Sequence, residues 1–284
     1  MLKQKLFIQS QYLLPQHLLS RCMGLLTNCK IKWLKNALIK KFINKYHVNM
    51  QEAYHENIND YQSFNDFFTR KLKPGVRPIN QDSNTIICPV DGSISQLGQI
   101  NHGKIFQAKG FDFTAVELLG GDSTLANQFQ NGLFATLYLA PKDYHCIHMP
   151  FAGKLTKMIY IPGNLFSVNQ TTVSHVPKLF ARNERVVCIF ETAFGVMAVI
   201  LVGAFFVASI HTTWAGKITP PHGKSVIVTD YQNQCITLNK GDLLGHFELG
   251  STVIMLLPKE IASFEVPFTQ RTNIHMGVSI ANTI

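Results

Sequence analysis

Apolar positions recur with one period in the first fifth of the chain and with another in the rest. Between residues 14 and 26, Leu14, Leu18, Cys22, Leu25 and Leu26 fall on one arc at 100° per residue, and Pro15 suits a first turn. This spacing predicts an amphipathic helix. Residues 30–46 repeat it with Ile31, Leu34, Leu38 and Phe42, interrupted by Lys35 and Lys45. Those lysines fit either snorkelling at a lipid surface or ordinary solvent exposure. "SFNDFFTRKL" (63–72) predicts a third short helix capped by Ser63, and "KPGVRP" (73–78) ends it. From about residue 85 the pattern changes to short runs such as "LFATLYLA", "KLTKMIYIP", "RVVCIFET" and "STVIMLL", broken by Gly, Pro, Asn and Asp. These predict an antiparallel β core, with a little helix inserted between 115 and 132. The expected fold class is α+β: N-terminal amphipathic helices over residues 1–60, then a mainly antiparallel β-sheet core over 61–284.

The longest apolar run, Val196 to Ala208, is too short to span a bilayer as a helix, and its β-branched residues predict buried strands. Gln4, Gln9, Gln11 and Gln16 interrupt any signal-peptide core at the N-terminus. Charge adds more. Residues 1–50 hold nine Lys/Arg and no Asp or Glu, while the remaining seventeen basic residues match seventeen acidic ones. The whole net charge of +9 therefore sits on the N-terminal helices. A basic segment rich in Leu, Ile and Phe suits anionic lipid. Nucleic acid is the competing partner, and no nucleic-acid motif accompanies the segment. The six cysteines form no CxxC pair, as expected of free thiols in a reducing cytoplasm. The expectation is a peripheral protein on the cytoplasmic face of the cell membrane.

Three places concentrate reactive side chains: Asp91 in "CPVDGSIS", Asp143, His145 and His148 in "APKDYHCIHMP", and Ser251 in "GHFELGSTVIML". An Asp, a His and a Ser can form a triad in which Asp orients His and His deprotonates Ser. Asp91 before Gly also fits an ordinary turn, and Ser251 an ordinary strand start. His145 and His148 face opposite sides of a strand, and no zinc-site spacing appears, so no metal is expected. Ser251 is outside a G-x-S-x-G elbow, which argues against an α/β-hydrolase.

"LGST" at 249–252 resembles the self-cleavage motif of phosphatidylserine decarboxylases. "FNDFFTRKLKPGVRPI", "CPVDGSISQLGQI", "QAKGFDFTAVELLGG", "LAPKDYHCIHMPFAG", "IPGNLFSVN", "LFARNERVVCIFET", "VGAFFVASI" and "WAGKITPP" agree in order with the bacterial membrane-associated branch. Glu248 before the motif and Met255-Leu256 after it depart from the pattern and leave the cleavage pair intact. The resemblance implies decarboxylation of phosphatidylserine to phosphatidylethanolamine and CO₂ in phospholipid biosynthesis. It implies autocatalytic serinolysis between Gly250 and Ser251, giving a large chain (1–250) and a small chain (251–284) that stay associated. Ser251 becomes a pyruvoyl cofactor and the Schiff-base partner of the substrate amine. Asp91, His148 and Ser251 are then the self-processing triad, and His145 acts in decarboxylation. Ser167, Asn169 and His175 are candidates for the substrate pocket, and Lys109, Arg182 and Arg185 for its phosphate. The family also suggests a homodimer. Two other readings stay open at this point: a lipid-directed serine hydrolase, and a membrane-binding scaffold without catalysis.

Overall fold

The computed structural model describes residues 2–205, 209–218, 224–248, 251–259, 261–264 and 272–283. Three helices lead, α1 (Leu2–Leu13), α2 (Gln16–Thr27) and α3 (Lys32–Tyr46), followed by the short α4 (Phe64–Phe68). Ser63 caps α4 as expected, its Oγ accepting from Asp66 N at 3.1 Å. The rest is strand with short helical turns, and every pairing between strands is antiparallel.

The centre is a nine-stranded sheet. Its middle strand, Ser251–Leu257, lies between Gly195–Val202 and Leu133–Leu139. Every residue of that strand is buried, which is why it reads as a continuous apolar run rather than an alternating one. The run beginning at Val196 is the neighbouring strand, also a buried one, while Phe206–Ala208 lie outside the described residues. Asn273–Ile274 adds to the other end of the same sheet, and Ser279–Thr283 pairs with Thr85–Ile87 in a second sheet. The described residues after 250 are thus stitched into the body through three strands, Ser251–Leu257, Asn273–Ile274 and Ser279–Thr283.

Gly92 controls how closely two strands approach beside Asp91. A Cβ there would sit 2.2 Å from Tyr138 O, so no other residue fits without displacing the Leu133–Leu139 strand.

The helices depart from the expectation in an informative way. The apolar arc of α2 faces outward: Leu18 is 59% and Leu25 79% exposed, while Gln16, Ser20 and Thr27 are buried. Polar contacts hold α1 and α2 to the body. Gln11 Oε1 accepts from Ser167 N at 2.7 Å, and Gln16 Oε1 from Leu165 N at 2.6 Å. α3 packs differently, with Phe42 edge-on to Phe64 and Phe68 of α4. Lys35 is neither at a lipid surface nor in solvent. It is 5% exposed, and its Nζ donates to Ile58 O at 2.9 Å and Asn36 Oδ1 at 2.7 Å. An ammonium on a helix tolerates burial when carbonyl oxygens replace its water. All six cysteines are free thiols.

Candidate active site

Ser251 begins the central strand opposite Leu139 and is fully buried. Among the described residues its Oγ has no hydrogen-bond partner. A buried hydroxyl in that state costs about 1–3 kcal/mol relative to a satisfied one, and folded proteins hold few of them. Gly250, the other half of the expected cleavage pair, lies outside the described residues.

The chain leaves Leu139 through a tight turn in which Asp143 Oδ2 accepts from Ala140 N at 2.7 Å. That turn delivers His145 to the interior, where its ring stacks on Phe68 with centroids 4.1 Å apart. His145 Nε2–H donates to Ala140 O at 3.1 Å. Nδ1 is therefore the unprotonated nitrogen, and among the described residues it too has no partner. Burial, reinforced by the nearby Arg70 charge, pushes its pKa down to about 3. His145 is a neutral imidazole with an idle lone pair.

His148 closes the Cys146–His148 strand. Its Nδ1–H donates to Gly241 O at 2.8 Å, so Nε2 accepts from the Tyr144 hydroxyl at 3.0 Å. Burial lowers its pKa, opposed by the Gly241 hydrogen bond and the Asp91 charge. It too is a neutral base at pH 7. Tyr144 went unnoticed in the sequence. Its position between Asp143 and His145 in a turn crowded with reactive groups was the available signal.

Asp91 is 4% exposed, which an ordinary turn aspartate is not. Its Oδ1 and Oδ2 each accept from Arg77 Nε at 2.9 Å, Oδ2 also accepts from Arg77 Nη2 at 2.6 Å, and Oδ1 accepts from Met276 N at 2.9 Å. His275 Nδ1 stands 3.6 Å away. Arg77 in turn reaches Glu52 at 2.7 Å. Arg77 was read only as part of a helix-ending stretch, since nothing local in "KPGVRP" marks a partner fourteen residues on. Asp91 and His148 come from adjoining segments, with His148 N donating to Pro89 O at 2.8 Å. Among the described residues, however, no hydrogen bond joins Asp91 to His148 or His148 to Ser251. The structure gathers the three expected residues in one region without linking them as a chain of hydrogen bonds.

Three cavities surround this region. One of about 190 Å³ is lined by Asp91, Asp143, Tyr144, Arg70, Arg77 and His275. A larger one, about 750 Å³, is lined by Arg70, Tyr144, His148 and His246 among others. A third, about 200 Å³, runs past Leu139, Phe68, Ser167 and Asn169, and so passes Ser251's cross-strand partner. His175 is not brought there; it is exposed, and its Nδ1–H donates to Thr171 O at 2.7 Å. Arg185 spends its guanidinium on the carbonyls of Leu118, Glu117, Ala181 and Asn183. Arg182 lies over the rings of Tyr12 and Phe166. Both serve packing. Lys109 is exposed in a tight turn, with φ of 48°. Among the described residues there is no group of three or more His, Cys, Asp or Glu able to hold a metal ion.

Comparison with known proteins gives two family matches. Residues 64–282 match the family described as phosphatidylserine decarboxylase, and residues 6–47 one described as PSD. The chain is 54% identical over 284 residues to a phosphatidylserine decarboxylase proenzyme of Ectopseudomonas mendocina, covering 99% of each chain. It is 53% identical to the proenzyme of that name from Pseudomonas putida, covering 99% of this chain and 98% of the other. It is 52% identical to that from Pseudomonas aeruginosa, covering 98% and 97%.

Proposed function

The chain belongs to the phosphatidylserine decarboxylase family, and from that membership we propose how its own residues carry out the reaction. It cuts itself between Gly250 and Ser251 and then converts phosphatidylserine to phosphatidylethanolamine and CO₂. The observation that supports this most is the fully buried Ser251 hydroxyl without a partner on the central strand.

In self-processing, Ser251 Oγ attacks the Gly250 carbonyl and the acyl group passes from nitrogen to oxygen. Loss of the proton on Cα of residue 251 then breaks the Cβ–Oγ bond. Gly250 leaves as a carboxylate, and dehydroalanine heads the small chain. Water addition and loss of ammonia give the pyruvoyl end. His148 Nε2 is unprotonated at neutral pH and is the base, with the Tyr144 hydroxyl on it either yielding its place or passing the proton along. Asp91 supports this through its charge and by holding Met276 N, a backbone group of the future small chain.

The site fits a pyruvoyl group. Position 251 is fully buried, and the neutral His145, held on Ala140 next to Ser251's cross-strand partner, has no partner on Nδ1 among the described residues. When formed, that group supplies a ketone that accepts the electron pair left as CO₂ departs. His145 Nδ1 takes a proton from the substrate ammonium and later returns it to the substrate carbon. Phe68 and Leu139 keep water from the carboxylate. Ser167 and Asn169 line the cavity that receives the lipid headgroup. Small and large chains remain together through the strands Ser251–Leu257, Asn273–Ile274 and Ser279–Thr283, and by family resemblance the unit forms a homodimer.

Intact-mass spectrometry of purified wild-type protein tests this reading. Two masses are expected, chains 1–250 and 251–284, the smaller bearing a ketone. One full-length mass, with a serine that a fluorophosphonate labels, supports the hydrolase instead; one unlabelled full-length mass supports the scaffold.

The outward apolar arc of α2 supports a peripheral seat on an anionic membrane, and the free thiols fit its cytoplasmic face. Among the described residues no helix is long and apolar enough to cross a membrane. Leu13, Leu25 and Trp33 are 85%, 79% and 72% exposed, within the segment that carries the chain's net positive charge. Because α3 packs on α4, deleting residues 1–46 would strip core contacts as well as the lipid surface. Substitution of Leu13, Leu25 and Trp33 by Ser is the cleaner test. Burying each in lipid is worth roughly 1.5–3 kcal/mol, so binding to anionic liposomes by flotation should fall about a hundredfold or more with self-cleavage unchanged.

A further inference from the structure

The inward side of α1 and α2 is polar, and its contacts converge on one stretch of backbone. Gln11 and Gln16 are buried on helices that expose Leu6, Leu13, Leu18 and Leu25. His17 Nε2–H donates to Gly163 O at 2.9 Å, Gln16 Oε1 accepts from Leu165 N, and Gln11 Oε1 accepts from Ser167 N. Gln16 Nε2 also donates to Gln11 O at 2.6 Å, which ties the two helices together where these contacts are made. The Tyr12 ring meets Phe166 edge-on, with centroids 4.9 Å apart. Gln11 reaches further into the same segment. Its Nε2 donates to Thr172 Oγ1 at 3.4 Å, and that hydroxyl donates to Asn169 Oδ1 at 3.2 Å. Asn169 Oδ1 also accepts from Thr172 N at 3.0 Å, capping the short helix Gln170–Val173. Asn169 N in turn donates to Ser167 Oγ at 3.4 Å.

We propose that Gln11 is a positioning residue for the substrate headgroup: through Ser167 N and the Thr172 hydroxyl it fixes Ser167 and Asn169, which line the cavity beside Leu139. This rests on the reading that the cavity receives the headgroup of a phospholipid. The order of the hydrogen bonds decides what the two residues can offer. Asn169 Oδ1 is spent on Thr172, so Nδ2 is the part of the amide left for a ligand. Ser167 Oγ accepts from Asn169 N, so its O–H is left to donate. Both are donors, which suits the oxygens of an anionic headgroup. Without Gln11, Ser167 N loses its acceptor and the Thr172 hydroxyl loses its donor, so the segment can pack in more than one arrangement. Gln11 touches neither the substrate nor the reacting atoms and therefore acts on binding rather than on chemistry. The helices that seat on lipid are thus the ones that hold the headgroup segment.

The test follows CO₂ release from dihexanoyl phosphatidylserine below its micellar concentration, where no lipid surface contributes to KM. Gln11→Met keeps the length of the side chain and removes both polar atoms. It should process into two chains and float with anionic liposomes as wild type does, while KM rises about tenfold or more and kcat stays within about twofold. Thr172→Val removes only the second arm and should raise KM about threefold. A glutamine with a merely structural role would lower the active fraction, and hence kcat, without moving KM. Unchanged KM in Gln11→Met, a loss carried by kcat, or impaired processing each overturns the assignment. Should Gln11→Met lose its fold by circular dichroism, Thr172→Val decides alone, and a KM equal to that of wild type overturns it. A wild-type chain that releases no CO₂ sinks the decarboxylase reading and this inference together; an active wild type matched in KM by Gln11→Met sinks this inference only.

Discussion

Ser251→Ala protein will run as one uncut chain of 284 residues and will release no CO₂ from phosphatidylserine. In the proposed mechanism both losses follow from one atom, because Oγ is at once the attacking group and the oxygen whose departure leaves the ketone. The effect should be complete within detection, well beyond the roughly 10²- to 10⁴-fold that removing a general base brings. Stability separates this from misfolding. The wild-type Oγ is buried and unpartnered among the described residues, so its removal deletes an unsatisfied polar group and leaves a pocket smaller than a methyl. The Ser251→Ala precursor should therefore be at least as stable to urea as an uncut wild-type chain. A destabilised variant, or normal two-chain processing, would remove Ser251 from the centre of the chemistry. Asp91→Ala is a poorer probe of the same step. It leaves Arg77 buried with one carboxylate fewer, and breaking a buried pair costs about 3–5 kcal/mol in its own right.

How much of this was legible in the sequence depends on what each element answers to. Arg185–Thr192 was read to the residue, because a buried central strand needs a continuous apolar run and polar residues mark its ends. α1 was not foreseen. Its sequence alternates Lys and Gln with apolar residues and presents no clean face; its place is set by Gln11 reaching Ser167 N across 156 positions. α2 was found from its arc, yet periodicity could not say that the arc faces outward. Burial of Gln16 and Gln11 against backbone N–H groups decides that, and backbone donors leave no trace in composition. The same limit governs the site. Ser251, His145 and His148 stand in recognisable local patterns. Arg77 and Tyr144 matter because of partners that only the folded chain brings near. Asp91 was named as a candidate from its place before a Gly turn, while its neighbours, Arg77 and Met276 N, come from segments that carry no motif of their own.

His145→Gln will cut itself normally and then turn over about 10²- to 10⁴-fold more slowly. Its Nε2 is fixed on Ala140 O, next to the residue that pairs with Ser251, and among the described residues its Nδ1 has no partner. Glutamine can fill much of the ring's place on Phe68 and can hydrogen-bond, but it cannot carry a proton from the ammonium to the carbon. His148→Gln should show the reverse, stalling at the uncut chain. A gel and a CO₂ assay on the same two preparations read the split directly, and equal effects of both changes on cleavage would merge the two roles. Acid stability gives a second readout that a merely space-filling histidine near the surface would not produce. The folded pKa of His145, about 3, lies below the ordinary imidazole value of 6.5 because the ring is buried. The unfolded chain therefore binds this proton first as pH falls. The stability that His145 contributes by staying neutral is fully present above pH 6.5 and is lost progressively as pH drops toward 3. Over that window one such group steepens the loss of unfolding free energy by up to about 1.4 kcal/mol per pH unit. His145→Gln should flatten the urea-unfolding profile by about that slope, leaving the parts due to His148 and His246, which burial also depresses. An unchanged acid slope would mean that the ring is protonated or solvated in the folded state, and a protonated His145 cannot take the substrate's proton.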